Sequence, residues 1–214
     1  MVAQPATESD LLAVPDDRKA HLVDGRIYSH ARPRVAHAEL AGALFRELSN
    51  NFGDSRRGGP GGWLFLIEPE LELGGDIFAP DIAAWRRERL PRAPSGARIS
   101  LAPDWVCEVL SKSTESFDRG VKRRAYLRAE VSHLWYVQPE AKLVEVYRKI
   151  GDFYASVAEG GLLEPIALEP FASAPIELGE MGAYGLMASR SSIRGLLHCD
   201  SRVGPHVARL PLLI

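Results

Sequence analysis

The run Pro103-Asp104-Trp105-Val106-Cys107-Glu108-Val109-Leu110 constrains this chain more than any other stretch. Its apolar residues fall on both alternating faces, and a strand with no polar face belongs in the middle of a sheet covered on both sides. Glu108 interrupts it. A buried ionised carboxylate is costly unless a cation accompanies it, so Glu108 demands a partner, and an arginine meets that demand as readily as a metal ion.

Short apolar runs at 63–67, 70–73 and 79–85 read as further strands of the same sheet, and runs at 133–137, 142–147 and 153–157 as a closing meander. Asp24-Gly25, set between Leu22-Val23 and Ile27-Tyr28, carries the common two-residue hairpin signal. Leu40, Leu44 and Leu48 recur at helical spacing to about Asn51, as do Val121, Ala125 and Tyr126 within 118–130. The segment 54–62, rich in Gly and Arg, reads as a surface loop. Together these predict an α/β fold, a mixed β-sheet flanked by a few helices. The expected organisation is a lead-in over 1–19, one domain over 20–180 and a divergent tail over 181–214.

Composition narrows the class of protein. At 214 residues, 46% hydrophobic and 25% charged, the chain can bury a substantial core, which excludes disorder and fibrous architectures. No stretch approaches the roughly 20 apolar residues of a membrane span, and the first residues lack a secretory pattern, so the expectation is a cytoplasmic protein with no membrane partner. Two cysteines, Cys107 and Cys199, are too few for a disulfide framework or a zinc cluster. The net charge of −2 conceals a local excess: residues 81–128 hold eleven Lys or Arg against six Asp or Glu. On charge alone that is a solvated face. No G-x-S-x-G elbow, dinucleotide-binding glycine motif or Walker loop is present.

A second acid interrupts an apolar run at Asp81, ahead of Ile82-Ala83-Ala84-Trp85. Alone it reads equally as a turn or strand-cap aspartate. Paired with Glu108 it forms two carboxylates on neighbouring strands, enough protein ligands for Mg²⁺, which keeps several waters. Ser111-Lys112-Ser113-Thr114 then makes a polar turn, followed by Asp118 and Lys122 at i,i+4. Lys122 can point back to the strand ends or simply pair with Asp118. His37, beside Leu40 and Ala41, reads first as a helix-face histidine.

These residues have a familiar order. Leu22-Val23-Asp24-Gly25, His37, Pro80-Asp81, Glu108-Val109-Leu110-Ser111-Lys112-Ser113-Thr114, then Asp118, Lys122, Tyr126 and His133-Leu134-Trp135-Tyr136-Val137-Gln138-Pro139 together resemble the Uma2 family (DUF820), a branch of the PD-(D/E)xK nuclease superfamily with a restriction-endonuclease-like sheet. The resemblance covers roughly residues 15–180.

It implies an endonuclease that hydrolyses phosphodiester bonds in DNA with Mg²⁺, or Mn²⁺ in its place. Asp81, Glu108 and the Val109 carbonyl would hold the metal, and Lys122 would orient water or stabilise charge. The superfamily lysine sits where this chain has Leu110, and the family glutamate sits where it has His21. His21, His37 and Asp118 are thus accessory candidates, while Arg119 and Arg123, with Arg86, Arg87, Arg89 and Arg124, are candidate phosphate contacts. A two-fold homodimer suits cleavage of both strands of a duplex. The displaced lysine and His21 equally suit an inactive nuclease-fold module that binds nucleic acid or protein, and a structural homodimer joined at a strand edge is a further alternative.

Overall fold

Trp105–Val109 is the central strand that the sequence expects, and every residue of it is buried. The computed structural model describes residues 4–32, 35–53 and 59–177; the expected tail at 181–214 lies outside them. In chain order the elements are α1 (Glu8–Leu12), β1 (Arg18–Val23), β2 (Arg26–Ala31), α2 (Val35–Leu48), β3 (Trp63–Ile67), β4 (Leu71–Leu73), β5 (Asp76–Phe78), β6 (Ile82–Arg86), β7 (Trp105–Val109), α3 (Glu115–Phe117), α4 (Arg123–Arg128), β8 (His133–Gln138), β9 (Leu143–Ile150) and β10 (Phe153–Gly161). A π-helical turn, Ser49–Gly53, extends α2, and a second, Asp118–Lys122, joins α3 to α4.

The larger sheet has six strands in the order β10-β9-β8-β7-β6-β3. β7 runs antiparallel to β6 and parallel to β8. A parallel neighbour requires a crossover, and the helical stretch from α3 to α4 supplies it. On one face Trp105, Cys107 and Val109 pack with Leu40, Leu44 and Leu48 of α2 and with Phe171 and Ile176 beyond β10. On the other, Val106 and Leu110 pack with Ala125 and Tyr126 of α4 and with Val23, Leu71 and Phe78 of the smaller sheet. Glu108 alternates with Cys107 and Val109, which puts it on this second face.

The expectation of one sheet is corrected. Four strands, β2-β1-β5-β4, form a separate sheet. Gly74 and Gly75 both have positive φ, 63° and 91°, which closes a tight β4–β5 hairpin, and Leu22 pairs with Ile77 to attach it to β1. Of the run expected over 79–85, residues 82–85 are strand, in β6, and 79–81 link it to β5. Asp24 and Gly25, at φ 51° and 65°, make the predicted β1–β2 turn. The lead-in contributes α1, whose Leu11 is buried with Leu22 and Ile77. No helix among the described residues is long and apolar enough to cross a membrane.

Candidate active site

Antiparallel pairing sets Ile82 opposite Cys107, so Asp81, one residue earlier, lies beside Glu108 at the end of β7. Asp81 is in a bend ahead of β6 rather than within a strand. Its Oδ2 accepts the Val109 N–H at 2.8 Å and lies 3.1 Å from His37 Nε2, while Oδ1 lies 3.4 Å from Lys19 Nζ. Burial would raise its pKa, but the hydrogen bond from His37 and the charges of Lys19 and Lys122 prevail and hold it well below the usual carboxylate range. Burial alone would lower the pKa of His37; its bond to Asp81 outweighs that and raises it, helped by a hydrogen bond to the Val109 backbone.

Glu108 occupies a drier position. Its Oε2 accepts from Lys122 Nζ at 2.9 Å, and Oε1 accepts from the Tyr126 hydroxyl. Lys122 also lies 3.2 Å from Asp118. Asp118, Lys122 and Tyr126 are four residues apart, so they share one side of the helical stretch, and all three are buried. Burial pushes the Glu108 carboxyl up to about 7 despite the nearby lysine. Burial opposes protonation of Lys122, yet Glu108, Asp118 and Asp81 together keep it firmly cationic.

These groups border a cavity of about 510 Å³, lined by Lys19, His37, Asp81, Glu108, Asp118 and Lys122 among others. The polar turn expected after the strand forms its rim, where Ser111 Oγ lies 2.9 Å from Thr114 Oγ1 and 3.1 Å from Ser113 Oγ. Leu110, in the place of the superfamily lysine, is buried beside the acids and also lines the cavity.

Several candidates lie elsewhere. Arg119 forms a bidentate pair with Glu145, at 2.7 and 2.9 Å, and bonds Glu115. Arg123 donates to the Tyr154 carbonyl and stacks on Tyr147. Neither lines the cavity. The expectation that Arg86, Arg87 and Arg89 flank the acids is corrected by topology: β6 leaves Asp81 antiparallel to β7, so they sit at the far end, where Arg86 N–H and Arg89 reach Asp104. His21 is fully buried. Its Nδ1 accepts the Ala79 N–H at 3.3 Å, so Nε2 carries the proton, finds no hydrogen-bond partner among the described residues and offers a metal no lone pair.

Lys19 was overlooked by sequence reasoning. It lies opposite His30 in the β1–β2 ladder, and both line the cavity. Its only sequence signal is alternation with His21 and Val23, which places it on the inward face of β1. Tyr126 belonged to the familiar pattern, but nothing in its spacing indicated a bond to Glu108.

Among the described residues no three His, Cys, Asp or Glu side chains are arranged to hold a metal ion. The donor set nevertheless fits a hydrated hard cation: two carboxylates and a backbone carbonyl, all oxygen, at an open cavity. The charges agree. With all four carboxylates ionised and the histidines neutral, Asp81, Glu108, Asp118 and Glu68 are joined among the described residues by two lysines, Lys19 and Lys122, a net charge of −2.

Comparison with known proteins follows the same lines. The family model Uma2, described as "Putative restriction endonuclease", matches residues 7–177. A solved structure described as a putative nuclease belonging to DUF820, from Anabaena variabilis ATCC 29413, superposes with a TM-score of 0.66 at 19% identity, over 85% of this chain and 100% of that one. That likeness establishes a shared nuclease-like fold. No curated protein matches. Since the family model spans most of the sequence, the chain belongs to the Uma2 family.

Proposed function

We propose that this protein is a Mg²⁺-dependent endonuclease that hydrolyses phosphodiester bonds in DNA. One observation carries the reading: Asp81, in the bend ahead of β6, and Glu108, on β7, meet at a cavity. Asp81, Glu108 and the Val109 carbonyl are the metal-holding groups, and Mn²⁺ suits the same oxygen donors. Bound there, the metal would lower the pKa of a water and neutralise charge on the scissile phosphate. The Val109 N–H fixes the Asp81 carboxylate. Tyr126 and Lys122 do the same for Glu108 from the opposite side, so neither acid has to reorganise when substrate arrives. Asp118 keeps Lys122 charged and in place. His37 Nε2 lies 3.1 Å from Asp81 Oδ2, so it competes with a metal for that oxygen. A two-fold homodimer would present two such sites to a duplex.

The test is plasmid nicking across Mg²⁺, Mn²⁺ and Ca²⁺ by wild type, Asp81→Ala and Glu108→Ala. Nicking by wild type in Mg²⁺ or Mn²⁺, abolished in both variants, is expected; identical traces for all three proteins would refute it.

A second reading has its own observation. Each acid already has a cation against it, Lys122 for Glu108 and Lys19 with His37 for Asp81, as suits a nuclease fold that binds nucleic acid or protein without cutting. Calorimetry separates the two: a Mg²⁺ or Mn²⁺ isotherm that vanishes in Asp81→Ala supports the enzyme, and DNA binding without a metal isotherm supports the inert module.

A further inference from the structure

The site contains two lysines in different situations. Lys122 Nζ lies 2.9 Å from Glu108 and 3.2 Å from Asp118, with its side chain 3% exposed, and Phe117 covers it at 5.8 Å. Withdrawing it towards a substrate would strand two buried carboxylates, which is strongly unfavourable. Lys19 is different. Its Nζ bonds Glu68 Oε1 at 2.8 Å and lies 3.4 Å from Asp81 Oδ1, with its side chain 13% exposed and that of Glu68 44% exposed. Breaking an ion pair with a solvated carboxylate costs little. Glu68 is fixed in turn, because its backbone N–H donates to the Asp81 carbonyl at 3.0 Å.

We propose that Lys19, parked on Glu68 in the free protein, is the ammonium group that meets the scissile phosphate beside Asp81, and that Lys122 is a positioning residue acting only through Glu108. The inference rests on the endonuclease reading and assigns the phosphate-facing cation within that site. Lys19 reaches the cavity from β1, on the wall it shares with His30, and a short swing from Glu68 puts its three N–H donors over the Asp81 side of the cavity. There an ammonium stabilises negative charge as it builds on the phosphoryl oxygens. No bond to Lys19 forms or breaks, and it carries its proton throughout. Glu68 would then compete with substrate for Lys19, a restraint that Glu68→Gln removes.

Four proteins test this: wild type, Lys19→Gln, Lys19→Arg and Glu68→Gln. The readouts are nicking kinetics in Mg²⁺ and fluorescence anisotropy of a labelled DNA oligonucleotide in Ca²⁺, over a series of salt concentrations. Lys19→Gln should lower kcat by roughly 100-fold or more. It should also reduce the slope of log affinity against log salt by about one contact. Lys19→Arg should recover part of both losses, and Glu68→Gln should tighten binding several-fold. Wild-type rate and salt slope in Lys19→Gln would overturn the assignment. If wild type itself fails to cut, the endonuclease reading falls, but the salt slope still decides whether Lys19 contacts phosphate: a reduced slope supports the contact and an unchanged one removes it.

Discussion

Replacing Glu108 by Gln probes the site through folding stability. The side chain keeps its shape and loses its charge. In the folded protein burial raises the Glu108 carboxyl to about 7, against an ordinary value of 4.5. Between those two pH values the folded state holds a proton that the unfolded chain releases. Stability from this group is therefore complete below pH 4.5 and is lost as pH rises to about 7. Over that window the loss amounts to about 3 kcal/mol, at about 1.4 kcal/mol per pH unit. Glu108→Gln carries no such penalty, so its urea-unfolding free energy, measured from pH 5 to pH 8 with EDTA, should gain on wild type by up to that amount as pH rises. His37, raised, and His21, His30 and His133, lowered, titrate in both proteins, so their contributions cancel in the difference. Millimolar Mg²⁺ at pH 8 should then stabilise wild type by about 1.4 kcal/mol for each tenfold excess over Kd and leave Glu108→Gln unmoved. Parallel stability curves for the two proteins would refute the reasoning, because Glu108 would then carry no buried-charge penalty for a metal to relieve.

Tyr126→Phe removes the hydroxyl that donates to Glu108 and should destabilise the fold by about 1–3 kcal/mol in chemical denaturation. It should also weaken Mg²⁺ binding in calorimetry, since one anchor of the carboxylate is gone. Asp81, held below the usual carboxylate range, contributes stability that is present above pH 4 and lost in acid; Asp81→Asn should flatten acid unfolding below about pH 4. Phe171→Ala empties a fully buried position that touches Trp63, Trp105 and Trp135 and should cost about 3–5 kcal/mol. Gly25→Ala places a Cβ 2.8 Å from that of Pro5 at a φ of +65°, and should lower the melting temperature where an exposed Ala elsewhere does not.

Much of the site's inner half was legible in the sequence. An acid inside an unbroken apolar strand can only be buried, so Glu108 declared its need for a partner before any coordinates. The i,i+4 spacing of Asp118 and Lys122, on a helical stretch just after that strand, left Lys122 to point back to the strand ends or to pair with Asp118, and it does both; the Tyr126 bond to Glu108 had no such signal. These inferences need only the local periods of strand and helix, which the chain carries in consecutive residues.

The outer half depended on register and layering between distant segments. Whether β6 ran parallel or antiparallel to β7 decided that Asp81 meets Glu108 and that Arg86, Arg87 and Arg89 lie at the opposite end. No run of residues encodes that choice; it follows from how the sheet closes its hydrogen bonds. The separate sheet brings Lys19 and His30 to the cavity, and α2, packed on the far face, brings His37 around the strand end to Asp81. Arg119 and Arg123 were plausible phosphate contacts on charge, yet Glu145 and the β9–β10 surface claim them. Sequence by itself therefore determined which groups had to be buried, because burial follows short-range apolar pattern. Tertiary structure alone decided which charges face each other, because that depends on contacts between residues tens of positions apart.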